Sequence, residues 1–255
     1  MPARRTQDVI EVVMTDHKIV RDPGPDDLTA PIAKETTEVA EVFLQDPHNG
    51  LDATQQVIYK ATAVLRHTSG GADYAADALA AKLEASADPH FEPWLELARS
   101  QIRRGLFDEG LDTLLQAELR KPGHPKILEY RAVATFSKGE RARAIALMRQ
   151  LLDKFPDLAG QRFILAEMLQ RVGNEEEAVA QAREAIGGRH TLWPAWHLLG
   201  EIAQSRGELE QAADAFKTAL AIKPDSALTQ KALSATLTKL GRAGEAARYR
   251  TRAPE

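Results

Sequence analysis

The chain has 255 residues, with 33 Lys and Arg against 37 Asp and Glu, a formal net charge of −4. That balance does not suit a general nucleic-acid binder, which needs a basic stripe. With no cysteine, the chain can form no disulfide, no cysteine-ligated zinc site and no thiol nucleophile of its own.

The N-terminus, Met1-Pro2-Ala3-Arg4-Arg5, has no apolar stretch long enough for a signal peptide. No apolar run approaches the roughly 20 residues of a membrane-spanning helix. The sequence therefore predicts a soluble chain with no export address of its own. Val9 to Met14 is β-branched and predicts a short strand. Asp22-Pro23-Gly24-Pro25-Asp26-Asp27 reads as a linker, because two prolines and a glycine continue neither a helix nor a ladder. Residues 1–33 are thus expected to be an extended segment and linker.

Residues 34–90 read as a helical region. Val39, Val42 and Phe43 give 34–45 an apolar face, and Pro47-His48-Asn49-Gly50 ends it. A second helix is predicted from about Asp52 to His67, broken by Gly70-Gly71, with Ala72 to Ala85 as its partner.

From Phe91 the chain becomes periodic. Gly105, Gly139, Gly173, Gly207 and Gly241 stand 34 residues apart. Ala98, Ala132, Ala166, Gly200 and Ser234 keep the step seven residues earlier, and Gly110, Ala144, Ala178, Ala212 and Ala246 five residues later. Pro122, Pro156 and Pro224 keep it again, with His190 breaking that series. The residue types have physical reasons. Two antiparallel helices that cross closely need small side chains at the crossing. A left-handed residue after a helix costs least as glycine, and proline stops the second helix.

This pattern resembles the tetratricopeptide repeat (TPR). Unit 193–226 carries it most clearly, with Trp196, Leu199, Gly200, Gly207, Ala212, Phe216, Ala219 and Pro224. Unit 91–124 follows closely. The resemblance implies an all-α solenoid of about five to six helical hairpins: units 91–124, 125–158, 159–192, 193–226 and 227–255, preceded by a degenerate unit at 57–90. The second helix of the last unit, about Ala243 to Arg252, is expected to cap the array with Arg248, Arg250 and Arg252 on its outer face.

A second resemblance lies at the N-terminus. Met1 to Thr6, then Val12-Val13-Met14-Thr15-Asp16-His17, then Pro23 and Leu28, is similar to the stretch after the last Cys-x-x-Cys-His of multihaem cytochromes c that carry C-terminal TPR repeats. It implies that His17 is a distal haem ligand, and that the chain is either the C-terminal piece of a longer, exported cytochrome or a descendant that lost its haem. All haem-attaching cysteines are absent. Without that resemblance His17 reads as an exposed loop histidine.

In a TPR array the first helix of each hairpin lines a concave groove, mostly at positions 2, 5, 9, 12 and 13. Counting gives Arg99, Arg103, Glu129, Val133, Phe136, Phe163, Glu167, Gln170, Arg171, His197, Glu201, Gln204, Lys231 and Lys239. Taken singly, each reads first as solvated polar surface. Taken together, mixed charge with two aromatics suits an extended or helical peptide. A chaperone carboxylate clamp is not expected, since Asn49 and Asn174 both fall outside the groove register. Trp193 and Trp196 read as packing residues, and Glu175-Glu176-Glu177 as acidic side chains favoured at a helix start. The remaining histidines lack metal-ligand spacing, and no phosphate loop, Gly-x-Ser-x-Gly or His-Glu-x-x-His occurs.

The sequence thus points to a non-catalytic scaffold that binds a protein or peptide in its groove. The alternative is the TPR part of an exported multihaem cytochrome c, docking a redox partner while upstream haems carry electrons. The first needs no cofactor. The second places the array in the periplasm, against a cytoplasmic location otherwise.

Overall fold

The computed structural model describes residues 4–5, 13–14, 50–67, 73–86 and 90–249. The chain divides into two compact units, residues 1–38 and 39–255. In the first, β1 (Arg4–Arg5) pairs antiparallel with β2 (Val13–Met14), Arg4 opposite Met14 and Arg5 opposite Val13. The strand expected over Val9–Met14 is described only at its last two residues. The helix expected over 34–45 lies outside the described residues.

The second unit is all-α and forms a TPR-like helical-hairpin solenoid. It starts with α1 (Ala53–His67) and α2 (Asp73–Glu84). A reciprocal capping box opens α1: the Asp52 amide donates to Gln55 Oε1 (3.0 Å) and the Gln55 amide to Asp52 Oδ1 (2.8 Å). The periodic hairpins follow as α3 (Glu92–Arg103) with α4 (Phe107–Arg120), α5 (Pro125–Ser137) with α6 (Arg141–Lys154), α7 (Ala159–Arg171) with α8 (Glu175–Gly188), α9 (Trp193–Ser205) with α10 (Leu209–Ile222), and α11 (Ala227–Lys239) with α12 (Ala243–Ala246).

The 34-residue period is a period of backbone geometry. Each of the five glycines ending the first helix of a hairpin has positive φ, from 74° at Gly241 to 96° at Gly139. Each sits in a Schellman turn. At the first, the Gly105 amide donates to the Ile102 carbonyl and the Leu106 amide to the Gln101 carbonyl, and the other four repeat this pair. The small residues mark the crossings. Ala98, Ala132, Ala166, Ala144, Ala178, Ala212 and Ala246 are fully buried. A Cβ on Gly200 would stand 2.5 Å from the Phe216 ring, so only glycine admits that aromatic beneath it.

Within the solenoid, the first helix of a hairpin packs on its partner and on the next hairpin. Successive first helices also touch one another directly: α1 with α3, α3 with α5, α7 with α9, and α9 with α11. They therefore occupy the inner arc, while the second helices form the outer one. Helices α5 and α7 approach each other less closely than these pairs.

The last hairpin corrects one expectation. Its second helix ends at Ala246 and passes into a 3-10 turn, Ala247–Tyr249, rather than running to Arg252. Ser234 Oγ donates to the Ala246 carbonyl (3.0 Å) at the point of that change. Arg248 is exposed there, and Arg250 and Arg252 lie outside the described residues.

Candidate binding groove

Position 5 of the inner helices faces the next hairpin. Its neighbour is position 3 of the following unit, and the chemistry of the pair alternates. Leu95 and Ile127 share the first apolar core. Glu129 is buried and accepts from Gln161 Nε2 (2.6 Å) and Lys126 Nζ (3.0 Å). Phe163 packs on the cluster around Ala195. His197 is buried, with Nδ1 3.1 Å from Thr229 Oγ1 and its ring 5.2 Å from that of Phe216. Glu129, Phe163 and His197 thus tie neighbouring units together. Arg99 does likewise: it pairs with Glu96 (2.8 Å) and donates to the Leu65 carbonyl at the end of α1.

Between α5 and α7, positions 9, 12 and 13 border an opening. Val133, Phe136 and Ser137 of α5 and Ile164, Glu167, Met168 and Arg171 of α7 enclose a cavity of about 200 Å³. Four of the expected groove residues, Val133, Phe136, Glu167 and Arg171, meet in it. Burial pushes the Glu167 carboxyl above its ordinary range; Arg171 opposes that shift and Glu201 adds to it. One unit further on, His197 Nε2 stands 3.4 Å from Glu201 Oε1. The approach of His197, assisted by Gln170, holds the Glu201 carboxyl below its usual range against the effect of burial. Gln204 Nε2 donates to Thr236 Oγ1 (2.9 Å). Arg103, Lys231 and Lys239 are exposed.

A second opening, of about 590 Å³, lies at the helix-start edge of the same face. Lys126, Glu129, Gln161, Phe163 and Arg189 are among its walls. Counting along the sequence misses Gln161, Ile164 and Met168. Gln161 has a signal: it stands 32 residues after Glu129, as Thr229 does after His197.

Asn174 is the N-cap of α8 and accepts from the Glu177 amide, a helix-start role away from the groove. Asn49 and His17 lie outside the described residues. The donor set does not fit covalent haem, because the chain offers no cysteine for a thioether. Among the described residues no group of three or more His, Asp or Glu could hold a metal, and no helix is long and apolar enough to cross a membrane.

Comparison with known proteins agrees with this architecture. Residues 193–226 match the tetratricopeptide repeat family model. Human tetratricopeptide repeat protein 7A is 29% identical over 133 residues, 52% of this chain and 16% of that protein. The peroxisomal targeting signal receptors of Kluyveromyces lactis (25% identity, 69% of this chain, 32% of the receptor) and Yarrowia lipolytica (27%, 70%, 31%) are also similar. The chain spans about a sixth to a third of the length of these curated relatives. Among solved structures, MamA residues 41-end from Desulfovibrio magneticus RS-1 superimposes with a TM-score of 0.54 at 18% identity, covering 65% of this chain and 93% of that one. A MamA crystal structure gives 0.52 at 18%, with 62% and 87% covered. These likenesses support the tetratricopeptide repeat architecture of the helical unit.

Proposed function

We propose that the chain is a non-catalytic scaffold whose inner face binds a protein or peptide partner. The observation that carries this reading is the cavity between α5 and α7. It gathers apolar Val133, Phe136, Ile164 and Met168 with charged Glu167 and Arg171 on the inner arc, where repeat arrays present their concave surfaces. Apolar floor with charged rim is the chemistry of a peptide-recognition surface. Two relatives are named as receptors for a targeting signal, which agrees with binding rather than catalysis.

The test is affinity capture from the chain's own host with wild type and with Phe136→Ala plus Arg171→Ala. Arg171 is exposed and Phe136 is half-buried against the core, so the double variant is expected to keep its helical content, with a modest fall in melting temperature, while losing the captured partner. Undiminished capture would move the site away from this face.

A further inference from the structure

The joint between unit 125–158 and unit 159–192 differs from its neighbours in three linked ways. At three of the other joints, a cation just after the first helix of one unit pairs with an acid at the start of the preceding second helix. Arg104 pairs with Asp73 (3.3 Å), Lys138 with Asp108 and Arg206 with Glu175 (3.0 Å); at the last joint that position is Leu240, and Arg242 two residues further on reaches Glu210 instead (3.2 Å). At this joint the cation position is Val172, 38% exposed, and the acid positions are Arg141 and Ala142. The rung is missing from both sides.

The second difference is charge. The helices α2, α4, α8, α10 and α12 each carry an acid in the first turn, which suits the positive end of the helix dipole. α6 carries none and has Arg141 and Arg143 there instead. Arg143 is held by Glu140 (2.8 Å). Arg141 and Arg171 are exposed. Among the described residues no carboxylate lies within ion-pair distance of either, although Glu167 lies near enough to Arg171 to feel its field.

The third difference is shape. The Glu129–Gln161 bond (2.6 Å) pins the starts of α5 and α7, and Arg149–Glu177 (2.6 Å) fastens α6 to α8 on the outer side. Among the described residues the ends of α5 and α7 have no such tie, and the apolar cavity opens between them.

Resting on the concave-face reading above, we infer that this joint selects an acidic-apolar partner segment. A bulky apolar side chain enters the cavity over Val133, Phe136 and Met168, and adjacent carboxylates meet Arg171 and Arg141. The partner's acids supply the negative charge that the repeat pattern places at the start of every other outer helix. Charge complementarity commits the occupant to an acidic segment, since a basic one would face Arg171 on the cavity wall and Arg141 at the start of α6, neither of them held in an ion pair among the described residues.

The experiment uses the full chain and two fluorescein-labelled peptides of identical apolar residues, one alternating Leu and Phe with Glu and one with Lys in place of Glu. Fluorescence anisotropy is expected to show binding of the Glu peptide at least tenfold tighter than of the Lys peptide, weakening as salt rises. Phe136→Ala and, separately, the exposed-site variant Arg171→Glu are expected to reduce Glu-peptide affinity at least tenfold, the array staying folded in both and its melting temperature unchanged in Arg171→Glu. Equal binding of both peptides, or Glu-peptide binding that survives both substitutions, overturns the inference. So does no binding of either peptide. If the Glu peptide fails while capture of the host partner is still lost in the Phe136→Ala plus Arg171→Ala variant, the concave-face reading stands and the acidic selectivity falls. If capture also survives, both fall.

Discussion

Two adjacent joints of one array are built differently. Between units 159–192 and 193–226, α7 and α9 touch. Arg206 and Ser205 both reach Glu175 (3.0 and 3.4 Å). Between units 125–158 and 159–192, one buried polar bond holds the helix starts, and a cavity with apolar walls separates the helix ends. The repeats share their internal crossings but not their mutual spacing. A hairpin is fixed by a small residue at each crossing, whether glycine, alanine or serine, whereas a joint is set by whichever long side chains bridge it.

The largest effect expected from this contrast separates two neighbouring residues of α5. Ala132 is fully buried at the α5–α6 crossing, and Val133 lines the gap. Ala132→Leu overpacks the crossing and should cost about 1–3 kcal/mol. Val133→Ile extends into the cavity and should be neutral or gain up to about 1 kcal/mol. Urea unfolding of the two variants checks the opposite signs, and equal destabilisation would show that the gap is closed in solution.

Next in size is the pin. Gln161→Ala removes the 2.6 Å donor to buried Glu129 and leaves it only Lys126. An under-satisfied buried acceptor costs about 1–3 kcal/mol, so the melting temperature should fall. An unchanged value would mean that the two starts are not held by this bond.

A smaller effect depends on pH. Burial raises the Glu167 carboxyl, so the folded array keeps this proton in a window just above the ordinary glutamate value of about 4.3, where the unfolded chain has lost it. Stability contributed by this group is present at lower pH and is lost as pH rises through that window. Glu167→Gln should flatten that part of the stability–pH profile and leave the array slightly more stable at neutral pH. An unaltered slope would show the carboxyl to be solvated.

The smallest effect is restoration of the missing rung. Ala142→Glu with Val172→Arg installs a pair of the kind found at three of the other joints. An exposed ion pair is worth about 0–1 kcal/mol, so the double variant should gain at most that over the sum of the single ones. A clearly larger coupling would show that the joint's openness comes from the absent rung alone.

The hairpins are legible in the period itself. Glycine at the left-handed turn and alanine at the crossing are demanded by backbone geometry, so Gly139 and Ala132 announce themselves in the sequence. The joints are less legible. Counting puts Glu129, Phe163 and His197 on the groove, yet each spends its side chain on the next unit. A period reports the phase of a residue within its own hairpin, whereas these contacts depend on the residue 32 positions later, and Gln161, Ala195 and Thr229 differ in kind. The cavity is half readable: register places Val133, Phe136, Glu167 and Arg171 together, but the opening depends on how far α5 and α7 stand apart. The end of α12 is not readable, because nothing in the periodic pattern marks where a second helix tightens into a 3-10 turn.

The most direct test of the inner-face account is site-specific photo-crosslinking in the full chain, expressed in its own host. A photoreactive residue replaces Phe136 on α5 in one variant and Leu119 in another; Leu119 lies on outer helix α4 and is 74% exposed. The account predicts a discrete partner adduct from position 136 and none from 119 at equal expression. Adducts from 119 with none from 136 would contradict it and place the partner on the outer face.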